Sequence, residues 1–176
     1  MNAVLLRDPT PELASERRAR RAPLRTLSGK TVALMDIGKM RGVDYIDRLE
    51  ELLRARSIAT LRFAKPTNTR TAPDRLLQDI VAGCDAVVIA LSDCGSCTSC
   101  STHDLNDLDL RGLPGVSVLT TEFHEAFAKQ CAAIGFDGAS LYVPHPMQNR
   151  TRDELRAFAD ASVADVLRAL CVEPVE

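Results

Sequence analysis

The run Ala86-Val87-Val88-Ile89-Ala90-Leu91, followed by Ser92-Asp93-Cys94-Gly95-Ser96-Cys97-Thr98-Ser99-Cys100, decides the fold. Six apolar residues closed off by polar ones have the length and texture of a strand buried on both faces. The same texture occurs upstream in Thr31-Val32-Ala33-Leu34-Met35, which begins after Ser28-Gly29 and stops at Asp36. Further strands are expected at 58–63, 116–119 and 141–143. The segments between them repeat at helical spacing: Tyr45, Ile46, Leu49, Leu52 and Leu53 behind Asp44, read as an N-cap, then 73–81, 122–134 and 152–170. The last of these opens on Thr151 and Glu154, in capping-box spacing.

Strands that alternate with helices and read as continuous apolar runs imply a parallel sheet joined by right-handed crossovers and covered on both faces. The expected fold class is therefore α/β, a three-layer sandwich around a five-stranded parallel, flavodoxin-like sheet in the order 2-1-3-4-5. In such sheets ligands bind outside the carboxyl ends of the strands, where the order reverses, here between the first and third strands. The cysteine-rich loop directly follows the third strand.

Lysine plus arginine number 22 against 24 acidic residues, so there is no global basic field to hold a nucleic acid or an anionic membrane. Small molecules and proteins are the expected partners, and an assembly of identical copies is compatible with the composition. An apolar fraction of 45% supplies one core, assigned to residues 29–176. Residues 1–28 carry Arg17, Arg18, Arg20, Arg21 and Arg25 with Pro9, Pro11 and Pro23 and no sustained apolar pattern. They read as a flexible basic arm, and removal of residues 1–25 is expected to leave the fold and the thiol reactivity intact. The arm has no apolar run of signal-peptide length, and nothing approaches the ~20 residues of a membrane span, so the expected location is cytoplasmic. In that compartment clustered cysteines indicate catalysis or metal rather than a disulfide framework.

Cys84, Cys131 and Cys171 occur singly, as cysteines used for packing do, whereas Cys94, Cys97 and Cys100 recur every third residue. The Ser, Thr and Asp residues around them suit the first turn of a helix running toward Leu105, Leu108 and Leu110. Cys94 then lies just before that helix, whose free amides and positive end stabilise a thiolate. Gly95 leaves room for a ligand to approach. One turn on, Cys97 can resolve an adduct or sulfenic acid on Cys94 by forming a disulfide. Cys100 continues the face as a second resolving thiol, a relay or a plain helix residue, and His103, oriented by Asp104, is a candidate proton donor. No cofactor is required beyond an external thiol reductant or thioredoxin. The competing reading is a zinc ion or iron–sulfur cluster on the three thiolates, completed by His103 or His145.

The block from Asp93 to Ser101, with His103-Asp104, resembles the UGSC family, whose members carry selenocysteine or cysteine at the position of Cys94. Support extends to Asp36-Ile37-Gly38-Lys39, Thr120-Thr121-Glu122-Phe123 and Val143-Pro144-His145-Pro146. The loop is also similar, more loosely, to the selenocysteine loop of the B subunits of glycine and betaine reductases. The resemblance implies chemistry at a chalcogenolate, since a position that accepts sulfur or selenium is poorly explained as a structural ligand, but it supplies no substrate. The reading is a thiol-dependent oxidoreductase or reductive lyase, with a non-redox cysteine lyase or racemase and a metal module as its competitors. If the sheet order holds, Asp36, Lys39, Ser96, Thr120, Thr121, Glu122 and His145 gather at the same rim as substrate-binding candidates, with Lys39 suited to a substrate carboxylate.

Overall fold

The computed structural model describes residues 16–175. Its main sheet contains β2 (Thr31–Asp36), β3 (Ala59–Ala64), β4 (Ala86–Ser92), β5 (Gly115–Thr120) and β7 (Ser140–Val143), all parallel and ordered β3-β2-β4-β5-β7. Renumbered within the sheet this is 2-1-3-4-5, and the order reverses between β2 and β4. Each strand residue points to the face opposite its neighbour. In β2, Val32 and Leu34 enter the core under α1 (Gly42–Arg54) and α5 (Arg152–Leu170). Ala33 and Met35 enter the core under α2 (Asp74–Gly83), α3 (Gly95–Leu110) and α4 (His124–Ile134). The α/β sandwich with its flavodoxin-like sheet is therefore present, and it follows from fully buried strands needing helices on both sides.

The helix at the C-terminal end begins as expected. Thr151 accepts from Glu154 N while the Glu154 carboxylate accepts from Thr151 N at 2.8 Å, so two free amides are satisfied reciprocally. The first helix does not. Arg41, in a left-handed conformation, precedes it with no side-chain cap, and Asp44 is not the N-cap but sits inside the first turn, near Arg41 at 3.3 Å and Arg152 at 3.6 Å. A carboxylate there still meets the positive end of the helix, which explains why it looked like a cap.

One irregularity matters for the site. Pairing of β4 with β5 runs Val87↔Gly115, Val88↔Val116, Ile89↔Ser117, then shifts so that Ser92 meets Leu119. The extra residue breaks the alternation, and Ala90 and Leu91 both face the α1/α5 core. At the start of the same pairing a Cβ on Gly115 would lie 2.4 Å from Val87 Cγ1 and 2.8 Å from the Val87 carbonyl oxygen. Backbone cannot yield there, so Gly115→Ala is expected to cost about 1–3 kcal/mol by overpacking. Thermal melts check this, and an unchanged midpoint would show that β4 and β5 can separate freely.

The expected free arm is not free over residues 16–28; residues 1–15 lie outside the described residues. β1 (Arg18–Ala19) pairs in parallel with β6 (Phe136–Asp137), Leu24 bridges to Cys171, and Leu27 is fully buried in the core. Arg18 reaches Asp109 at 2.5 Å and Asn106 at 2.8 Å on α3, and stands over the Phe136 ring. The segment has no periodic apolar face because its attachment is mostly polar and backbone-mediated. Among the described residues no helix is long and apolar enough to cross a membrane.

Candidate functional site

β4 delivers the cysteine loop to the rim where the sheet order reverses. Ser92 is buried and its hydroxyl contacts Ser101 Oγ at 3.1 Å, which ties the strand end to the first turns of α3. Cys94 is the N-cap of α3, in extended conformation, with its sulfur accepting from Cys97 N at 3.4 Å. Its own N–H points to Cys97 Sγ at 3.1 Å, so each cysteine satisfies a terminal amide of the other. Cys94 and Cys97 are disulfide-paired, with Cα atoms 5.5 Å apart. Cys94 is half-buried and Cys97 fully buried. Gly95 is exposed, and a Cβ on it would meet nothing within 4 Å, so the approach to Cys94 is open.

Geometry explains why this pair bonds rather than Cys97 with Cys100. The latter two lie inside α3, where Cβ atoms three residues apart sit about 5–6 Å from each other. A disulfide needs roughly 3.5–4.5 Å. Cys94, outside the helix, has the freedom to close that gap. Cys100 is a half-buried free thiol.

Lys39, in the loop after β2, places Nζ 3.0 Å from Asp93 Oδ1 and so spans the point of order reversal. The Asp93 side chain is 2% exposed and that of Lys39 12%, so the pair is interior. An oxygen of Asp93 and the sulfurs of Cys94 and Cys97 all lie within 4.8 Å of one another. Asp93 was not among the residues singled out for function. The sequence carries its signal, an acid immediately before the first cysteine, but there it reads only as one of the polar residues that close the strand. Cys100, His103 and His145 are not in this group, so the three-thiolate metal set is not assembled among the described residues.

Two further expectations are corrected. His103 and Asp104 do not act together, since neighbours on a helix point about 100° apart. His103 is exposed and contacts Gln130 Nε2 at 3.3 Å, about 14 Å along the helix axis from Cys94. Asp104 turns inward to Lys65 at 2.5 Å and accepts from Ala72 N at 2.7 Å, with both charged side chains fully buried. Burial pushes the Asp104 carboxyl up, with Lys65 and the Ala72 amide pulling against it.

The remaining candidates divide. Ser96 is exposed, its hydroxyl 3.5 Å from Cys94 Sγ. Asp36 ends β2, half-buried, accepting from Gly38 N at 2.8 Å, and burial raises its carboxyl above the ordinary range. Thr120 is buried at the end of β5 and its hydroxyl meets His145 Nδ1 at 3.0 Å, while Phe123 packs edge-on against the same imidazole. Thr121 and Glu122 are exposed in the short 3₁₀ turn before α4, and neither caps it. Because Ser92 pairs with Leu119, the Thr120–His145 contact lies beside the β4 end at strand spacing of about 4.8 Å. The isolated thiols differ from the loop: burial pushes Cys131 and Cys171 up, and Cys84 up to about 11.

Among solved structures the chain is similar to a diflavin flavoprotein A3 from Nostoc sp., at TM-score 0.44 and 9% identity over 79% of this chain and 92% of that one. It is also similar to the sugar isomerase domain of an RpiR transcription factor from Sphaerobacter thermophilus, at TM-score 0.40 and 14% identity over 79% and 71%. A third is the rubredoxin oxygen:oxidoreductase of Desulfovibrio gigas, at 0.37 and 10% over 85% and 38%. These likenesses are too distant to bear on chemistry. No curated protein matches the chain, and the looser similarity to the reductase B subunits has no counterpart here. A family model, by contrast, matches residues 5–172, nearly the whole chain with the cysteine loop at its centre, and on that match the protein belongs to the UGSC family.

Proposed function

We propose that this protein is a thiol-dependent oxidoreductase or reductive lyase. The Cys94 thiolate attacks an electrophilic atom of a small substrate, Cys97 resolves the adduct as a disulfide, and a low-molecular-weight thiol or thioredoxin resets the pair in the reducing cytoplasm. The observation that carries this reading is the position of the pair: Cys94 caps α3 with its sulfur on the Cys97 amide, half-buried beside an open glycine, over a buried partner sulfur. A helix N-terminus stabilises the charged form of such a thiol, often bringing it from ~8.5 into the range ~3.5–7.5. Membership of the UGSC family supports redox-type cysteine chemistry at this loop.

Alkylation of the reduced protein with iodoacetamide across a pH series, followed cysteine by cysteine, tests it. Cys94 is expected to react at least about tenfold faster than Cys84, Cys131 or Cys171 near pH 6. Mild peroxide is expected to bridge Cys94 to Cys97, and Cys94→Ser to abolish the bridge. Equal rates for Cys94 and Cys131, or a bridge from Cys97 to Cys100, would overturn the assignment.

A further inference from the structure

We propose that Asp93 is the proton acceptor for the resolving thiol: its buried carboxylate takes the Cys97 proton as that sulfur attacks the adduct on Cys94, while Lys39 holds the carboxylate in place. The proposal deepens the preceding one and rests on Cys94 as nucleophile and Cys97 as resolver.

Cys97 is 0% exposed, so bulk water does not reach its sulfur and the proton has to leave to an internal base. Asp93 is the ionisable side chain whose oxygen converges with both sulfurs, within 4.8 Å, a span that one bridging water carries a proton across. Its Oδ1 lies 3.0 Å from Lys39 Nζ yet has no hydrogen-bond partner, because the ammonium stands off the direction a hydrogen bond needs. The contact is coulombic, and the oxygen keeps its accepting capacity. A buried carboxylate oxygen left in this state costs stability unless something is gained from it. The buried acids of α3 are already engaged, Asp104 by Lys65 and the Ala72 amide and Asp109 by Arg18 and the Arg21 amide.

The step balances as follows. With a group X bonded to Cys94 Sγ, the Cys97 thiol gives its proton to Asp93, and the freed electron pair on sulfur forms the Cys97–Cys94 bond. The Cys94–X bond breaks with its pair passing to X, which takes the proton from Asp93 and departs as X–H. Two thiol sulfurs are oxidised by two electrons in all, X is reduced by two, and the carboxylate is regenerated.

The test uses the reduced full-length protein with one equivalent of 5,5′-dithiobis(2-nitrobenzoate). The first release of thionitrobenzoate reports the mixed disulfide on Cys94, and the second reports its displacement by Cys97, with peptide mapping to identify both species. Asp93→Asn and Asp93→Ala are expected to slow the second release roughly 100-fold, the scale of a lost general base. Asp93→Glu is expected to retain most of the rate, and formate to restore Asp93→Ala. An unchanged second release in Asp93→Asn overturns the inference while leaving the Cys94–Cys97 reading intact, as does slowing that neither formate nor Asp93→Glu relieves. Absence of the first release in the unmodified protein instead defeats the reading on which the inference rests, and the inference with it. If neither variant melts as a folded protein, the second release is timed in deuterium oxide with the unmodified chain: slowing supports the transfer, and an unchanged rate overturns it.

Discussion

Replacing Asp104 by alanine is expected to lower stability by about 3–5 kcal/mol, the range for breaking a fully buried ion pair by removing one partner. The change strands the Lys65 ammonium, which is 0% exposed, and leaves the Ala72 amide without the carboxylate it donates to at 2.7 Å. For a chain of this size that loss corresponds to a fall in melting temperature of roughly 6–20 °C. The effect should not stay local. Lys65 follows β3 and its N–H donates to the Asp36 carbonyl at 2.8 Å, and Ala72 precedes α2, so the Asp104 carboxylate fastens the 65–72 connection onto α3. Thiol release from the surviving folded fraction is expected to become less uniform, because α3 carries the cysteines. The double replacement Lys65→Met with Asp104→Leu should regain most of the stability, since well-packed apolar side chains often match a buried ion pair. A single replacement costing under about 1 kcal/mol would mean that water reaches the pair in solution, whatever its packing in the fold.

What the sequence disclosed divides along the range of the interactions involved. The strand at 86–91, the capping box at Thr151 and Glu154, and Cys94 as the residue before a helix are all written in residues within about five positions of one another. Local chemistry fixes such features, and they were legible. Lys65 with Asp104 and Arg18 with Asp109 join residues 39 and 91 positions apart, and nothing in either partner's neighbourhood announces the other. The Asp93–Lys39 pair is of the same kind, although the switch-point rule did bring Lys39 to the right rim. The bulge near the end of β4 was hidden because an apolar run looks the same with or without an extra residue. His103 and Asp104 are a different failure, since their separation on the helix follows from its 100° step and could have been read from adjacency alone.

The docked N-terminal segment yields the second large effect: removing residues 1–28 is expected to destabilise the protein by about 2–4 kcal/mol, whereas the sequence led us to expect that residues 1–25 could be removed without change. Leu27 alone, 1% exposed, contributes about 1.5–3 kcal/mol by its burial. To this are added the backbone bonds Leu24 N to Leu170 O at 2.8 Å and Val172 N to Leu24 O at 2.9 Å, which hold the chain end beyond α5. Asp109 loses Arg18 at 2.5 Å and the Arg21 amide at 2.7 Å, but truncation also uncovers it, so water replaces part of that loss. Ordering the segment costs backbone and side-chain entropy that the truncated chain no longer bears, which keeps the net well below the sum of the contacts. The predicted fall in melting temperature is roughly 4–16 °C. Leu27→Ala in the full chain separates the two contributions, since it removes core packing at about 2–5 kcal/mol while leaving the polar attachments. Thiol chemistry in the folded truncated protein is expected to persist, because Asp109 lies fifteen residues beyond Cys94, about 22 Å along α3. A truncated chain that melts with the full-length protein would show the segment to be bound without stabilising; one that melts early but also loses the fast thiol would show that α3 transmits its anchoring at Asp109 to the cysteine end.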